Sequence, residues 1–252
     1  LDISAQSPWL VRDPRQSDRS RQGRDLPQAN KPADATPWLD EHGRPYDPAK
    51  GFRGALRSQA EKILRTMGFD ISHPADLPAV STRDGGTEGA LSRIRDTQDR
   101  AAWLFGLPGW KAPLTPSRVL GKSPLGGSPL RQEFLAIDLF SGGGAEGLKF
   151  NSELAPKGTL RATLRIDLDR LEKVDSAFES IGLLALVLRD LAEGDIPIGS
   201  GWSKGQGWIL AEGSVDEDGT AHPTLPDWFR SSSLVRTGIK ALRQSALSLT
   251  NL

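Results

Sequence analysis

No cysteine occurs in the 252 residues, so neither a disulfide framework nor a thiolate metal site is available. Histidine is almost as scarce, and His42, His73 and His222 are too scattered to suggest a zinc cluster. Charge of one sign is missing too: 32 basic side chains balance 32 acidic ones, so any basic site must be local. No window approaches the roughly eighteen consecutive apolar residues of a membrane span, and the amino terminus lacks the basic-then-apolar pattern of a secretory signal. A cytoplasmic chain with no membrane partner is expected. It begins at Leu1 rather than Met and ends in Ser248-Leu249-Thr250-Asn251-Leu252, which alternates like a strand just beginning. A fragment, or one module of a longer polypeptide, is therefore expected.

What is present suits a folded chain. Hydrophobic residues make up 37%, enough for a core, which excludes collagen, coiled coil and wholesale disorder. The 27 Gly and 18 Pro exceed average usage, so irregular loops should join short elements. From Arg12 to Pro48 apolar periodicity is nearly absent, while Arg12, Arg15, Arg19, Arg21 and Arg24 outnumber Asp13 and Asp18. This stretch reads as a long basic loop, either a solvated linker or an arm that orders on a polyanion.

Lys50 to Met67 has a helical apolar face of Phe52, Leu56, Ile63, Leu64 and Met67, with Gly68 placed to stop it. Lys50, Arg53, Arg57, Lys62 and Arg65 against Glu61 make this helix locally basic, and its free amino-terminal N–H groups attract the same anions. An ordinary solvated helix face is the alternative. Residues 68–131 read as loops around one helix from Ser92 to Phe105. Phe134–Phe140 and Thr159–Leu168 alternate as half-buried strands, separated by the flexible Ser141–Gly147. Ser176–Glu193 is a second helix with Gly194 at its end, and Trp208–Ala211 a strand. This order predicts an α+β chain with helices on one face of an antiparallel sheet.

Between that helix and that strand lies Gly199-Ser200-Gly201-Trp202-Ser203-Lys204-Gly205-Gln206-Gly207. Glycines permit positive φ and close approach of backbone amides to a ligand, so a phosphate cradle with Lys204 as counter-charge is one reading, and an empty tight turn the other. A dinucleotide fingerprint needs strand, loop, helix, the reverse of the order here. Gly201-Trp202-Ser203-Lys204-Gly205 formally fits a nucleophile elbow, which fails on the same ground, with only His222 downstream. Gly121-Lys122-Ser123 fails as a P-loop end because Pro116 replaces the leading glycine.

Five landmarks, in order, resemble the RAMP superfamily, the repeat-associated proteins of type III CRISPR effector complexes. They are Ser7-Pro8-Trp9-Leu10-Val11-Arg12-Asp13; Gly43-Arg44-Pro45-Tyr46 through Gly51-Phe52-Arg53-Gly54-Ala55-Leu56-Arg57; Leu104-Phe105-Gly106; Ala136-Ile137-Asp138 with Gly142–Phe150; and Gly199–Gly207. The resemblance covers residues 1–212 and implies a modified ferredoxin-like, RNA-recognition-like fold with long insertions. Within it, 12–48 is a long basic loop, 68–131 an irregular insertion, 134–168 a thumb hairpin and strands, and 199–207 a glycine-rich loop. Residues 213–252 would form a linker and carboxy-terminal helix. This segment either packs on its own domain or leads to a neighbouring subunit or another module.

The implied partners are CRISPR guide RNA, target RNA and neighbouring RAMP subunits. Expected RNA contacts are Arg12, Lys50, Arg53, Arg57, Gly142, Gly143, Gly199, Gly201, Lys204, Gly205 and Gly207, touching phosphates without reading bases. Trp202 and Trp208 would stack on bases or pack in the core. The family's cutting members carry an aspartate before the Ser-Pro pair, where this sequence has Gln6. A neutral amide serves neither as general base nor as a carboxylate ligand, so no cleavage, no metal and no cofactor are expected. Asp2 and Asp13 are the weak substitutes, and Mg2+ would enter only if RNA were cut. The alternatives are an endoribonuclease that cuts target RNA or processes guides and, outside the family, a small-molecule enzyme using the glycine-rich loop.

Overall fold

The computed structural model describes residues 1–15, 33–73, 76–77, 79–83, 85–125 and 129–249. Arg19, Arg21 and Arg24 lie outside them. The central sheet begins with β1 (Asp2–Ala5), which alternates exposed and buried so that Ile3 and Ala5 face the core. On one side β1 pairs with β7 (Gly158–Arg161), Ile3 opposite Leu160; on the other it pairs with β9 (Ile209–Glu212), Ile3 opposite Ala211. Beyond β7 come β4 (Val119–Gly121) and the two-residue β2 (Tyr46–Asp47), giving the antiparallel order β2-β4-β7-β1-β9.

Helix α1 (Ala49–Thr66) joins β1 to β4 by way of β2, and α5 (Glu179–Glu193) joins β7 to β9. Without β2, the chain reads β-α-β-β-α-β with the last strand beside the first, the ferredoxin-like arrangement. Each helix stops as the sequence predicts, with Gly68 at φ +89° and Gly194 at φ +92°. The start of α5 differs from expectation. Residues 176–178 are not helical, because the buried Asp175 accepts the amides of Glu179 (3.0 Å) and Ser180 (2.6 Å) and fixes the first turn there.

Three further expectations need correction. Ser92–Phe105 is not one helix: α2 (Gly86–Asp96) and α3 (Arg100–Phe105) are separated where Gln98 takes φ +50° and Asp99 caps α3 by accepting the Ala102 amide. Thr159–Leu168 is not one strand. Its second half is β8 (Leu164–Ile166), which pairs with β3 (Leu114–Pro116) outside the central sheet, after which Asp167 caps the short helix α4 (Leu168–Glu172). Ser248-Leu249 ends a helix rather than starting a strand.

That last helix is α7 (Ser233–Leu249), preceded by the hairpin β10 (Val215–Glu217) and β11 (Thr220–His222) and by helix α6 (Leu225–Ser231). It packs against α5 where two glycines meet. A Cβ on Gly182 would lie 2.4 Å from the Gly238 carbonyl carbon, so only glycine permits this crossing. Residues 213–249 thus complete the same core, with Leu225, Trp228, Val235 and Leu242 buried.

The insertion between β4 and β7 is the expected thumb: β5 (Leu130–Ile137) and β6 (Gly144–Leu154) form a long hairpin with Phe134 opposite Phe150. Its bounds shift from those expected. The turn is residues 138–143, and Gly144 is already strand. Leu139 and Phe140 at the tip are fully exposed. Residues 33–45 are less irregular than expected, returning antiparallel to the first loop through Trp38 N–H to the Val11 carbonyl (2.8 Å) and bridging to the thumb at Ala35 and Ser152.

Candidate nucleic-acid interface

Three sequence-distant segments converge on one cleft of about 510 Å³. They are the first loop (Leu10, Val11, Arg12), Asp47 at the end of β2 with the amino-terminal half of α1 (Gly51, Ala55, Ser58, Gln59), and the glycine-rich loop (Gly199, Ser200, Trp202) with Ile196 and Pro197 leading into it. Four glycines shape that loop, with φ of +79° at Gly199, +84° at Gly201 and +77° at Gly205 and Gly207. Gly199 must also lack a side chain, because a Cβ there would lie 2.2 Å from the Leu10 carbonyl oxygen.

The loop is stitched to the first loop by Ser200 N–H to the Leu10 carbonyl (2.8 Å), Gly207 N–H to the Pro8 carbonyl (2.9 Å) and Trp208 N–H to Ser7 Oγ (2.9 Å). Lys204, Gly205 and Gln206 donate their amides within the loop. Gly205 and Gly207 thus spend their amides on the fold, whereas the amides of Gly199 and Gly201 have no acceptor among the described residues. The loop also presents side chains. Trp202 is 68% exposed and Trp208 62%, which removes the core-packing alternative for both.

Lys204 ties the loop to the thumb. Its ammonium sits 4.6 Å from the Phe134 ring and 4.7 Å from that of Phe150, which stack on each other at 5.0 Å, and Gln206 donates to Gln132 (3.1 Å). The glycine-rich loop thus joins cleft and hairpin into one continuous surface.

The expected cations divide. Arg12 is exposed and lines the cleft, its guanidinium donating to the Asp34 carbonyl (3.1 Å). Lys50 is exposed but does not line the cleft, its helix phase lying close to that of Arg57. Arg53 is exposed but lies away from the cleft: at about 100° per residue, Gly51, Ala55, Ser58 and Gln59 share one side of α1 and Arg53 falls opposite. Arg57 is corrected outright. It pairs with Glu61 (2.8 Å), donates to the Gly106 carbonyl (2.8 Å) and is only 16% exposed, a brace between α1 and the end of α3. Gly142 and Gly143 sit in the thumb turn, bonded back to Asp138 and Ser141, well beyond the cleft.

No expected carboxylate is placed for chemistry in the cleft. Asp2 lies on the solvent face of β1, where Lys122 (2.9 Å) and then Arg161 (3.5 Å) hold its carboxyl below the usual range. Asp13 is engaged by Arg15 (2.9 Å), and the Gln6 amide donates to Ser4 Oγ (2.9 Å). Asp190, Glu193 and Asp195 bring carboxylate oxygens within 4.8 Å of one another, but Arg189 and Gln59 already engage Asp190.

The residue that sequence reasoning missed is Asp47. It is 3% exposed, it lines the cleft, and burial pushes its carboxyl up to about 7. An aspartate before a proline reads as turn chemistry, so only the neighbouring Gly51 signalled it: a Cβ there would lie 2.1 Å from Asp47 Oδ1.

Residues 2–210 match the family described as the RAMP superfamily. Among solved structures, a chain of a "Type IV-B CRISPR Complex" is similar at a TM-score of 0.51 and 19% identity, over 92% of this chain and 98% of that one. At that identity the likeness speaks to fold alone. Curated proteins give no match. No helix among the described residues is long and apolar enough to cross a membrane.

Proposed function

The chain belongs to the RAMP superfamily, and from that premise we propose that it is a guide-RNA-binding backbone module of an RNA-guided CRISPR effector that recognises target RNA. The order of its sequence landmarks supports type III organisation, and the similar chain from a type IV-B complex carries the same fold in another CRISPR assembly. The observation that carries the reading is the surface from Arg12, across the exposed Trp202 and Lys204, to the thumb. Cations spaced along a path with interleaved aromatics suit a single strand held by its backbone and stacked bases. Such a surface accepts any guide sequence, as a scaffold must.

The module itself does not cut. Gln6 replaces the carboxylate, Asp2 and Asp13 are tied up in ion pairs, and neither lines the cleft.

Nucleic acid extracted from the purified protein should contain short RNA of uniform length. Rebinding a single-stranded RNA should weaken about sevenfold between 50 and 200 mM salt, the change expected if Arg12 and Lys204 each displace a counterion. Arg12→Ala should lower that salt slope by about 0.7. A salt-independent affinity, or no RNA binding at all, would overturn the reading.

A further inference from the structure

An anionic phosphate backbone explains the cations around the cleft but not the acid inside it. Asp47 has no hydrogen-bond or ion-pair partner among the described residues, is 3% exposed, and stands beside the first turn of α1 where Gly51 leaves it room. A phosphate brought there would meet a carboxylate. A neutral group rich in N–H donors would instead satisfy it.

The rest of the cleft fits a flat heteroaromatic ring. Val11, Ala55, Ile196 and Pro197 give it apolar walls, Trp202 stands exposed at its edge as a stacking surface, and its volume of about 510 Å³ is that of a small-ligand site. Among nucleobases only guanine carries two adjacent N–H donors on its pairing edge, at N1 and N2, which match the two oxygens of one carboxylate. We propose that this cleft takes a single guanine turned out of the bound RNA strand, with Asp47 accepting from N1–H and N2–H and Trp202 stacking on the ring.

This rests on the RNA-binding reading and adds a base-specific position to an otherwise sequence-blind path. It also gives the buried carboxyl a purpose. An unpaired buried acid destabilises the free protein, and a bound guanine would supply the missing donors.

The test uses the intact chain and a 20-nucleotide uridine RNA carrying one central substitution, followed by fluorescence anisotropy. Guanosine should tighten binding about tenfold, within the range for a bidentate base contact, whereas adenosine and cytidine should give little gain. Inosine, which lacks only the N2 amine, should lose most of the effect, and 1-methylguanosine all of it. Asp47→Asn should bring the guanosine-to-uridine ratio close to one, and Ala55→Leu, which fills the cleft without touching charge, should do the same. The modified bases test the contact with unaltered protein, so the outcome does not depend on either variant folding. Salt-dependent binding without base preference would overturn the guanine site while leaving the RNA-binding reading intact. A preference that survives in Asp47→Asn would also overturn it. No binding of any oligonucleotide would overturn both.

Discussion

Glu179→Ala is expected to cost about 3–5 kcal/mol of stability, the usual penalty for stranding one member of a buried ion pair. Arg100 and Glu179 are 8% and 12% exposed and meet at 2.7 Å. The guanidinium also lies 4.7 Å from the Phe69 ring and 5.2 Å from that of Trp103. Glu179 accepts in addition from Ser245 Oγ (2.8 Å), so one carboxylate links α3, the start of α5 and α7. Its removal leaves Arg100 charged and buried and loosens the carboxy-terminal helix. In thermal denaturation the midpoint should fall by about 10 °C for a chain of this size. Arg100→Met combined with Glu179→Leu should recover most of the loss, since no charge is then stranded. A drop of only one or two degrees for Glu179→Ala would show that the pair is solvated and the three helices are held by apolar packing alone.

Asp47→Asn is expected to act in the opposite direction, stabilising the protein. A carboxyl raised to about 7 in the fold, from an ordinary 3.8, binds its proton more tightly when folded. Its contribution is therefore fully present below the unfolded value and is lost as pH rises through about 7, a penalty approaching ~4 kcal/mol by pH 8. Burial is the whole cause, with no charged group opposing it. Burial also raises Asp99 and Asp175, while Asp2, Asp138 and Asp167 are lowered by their hydrogen bonds and ion pairs, so the raw pH curve mixes signs. The difference between wild type and Asp47→Asn isolates the one residue. Chemical denaturation at pH 5 and pH 8 should show the variant's advantage growing with pH. A difference independent of pH would mean that the carboxyl is hydrated and ionised throughout.

The parts of the fold that were legible are those whose signals are local. Apolar periodicity located α1 and α5, and glycine placed their ends, because a left-handed cap needs the positive φ that glycine adopts without strain. Alternation found β7 and β9. It could not reveal that Thr159–Leu168 splits between two sheets, since leaving one sheet at Ala162 changes partners without changing the alternating pattern. The break at Gln98 was hidden for a related reason: Asp99 reads as an ordinary helix residue until its carboxylate is seen to accept the Ala102 amide.

The site was half legible. The landmark order marked segments of which the structure brings three together in one cleft. Helix phase, however, assigns Lys50, Arg53 and Arg57 away from the cleft side of α1, and a count of basic residues along a helix carries no such phase. Glycine content marked a special loop, and the structure shows its positive φ angles and its seam with Leu10 and Pro8. Asp47 was invisible because burial of a single carboxylate depends on three segments distant in sequence.

The central claim is that one strand of RNA passes over the first loop, the start of α1 and the glycine-rich loop toward the thumb. Photocrosslinking of 4-thiouridine RNA to the intact protein, followed by peptide mapping, measures that path directly. The account predicts adducts in residues 9–13, 47–59 and 199–208 and along the β5–β6 hairpin. Adducts confined to α7 or to the acidic β10–β11 hairpin would contradict it.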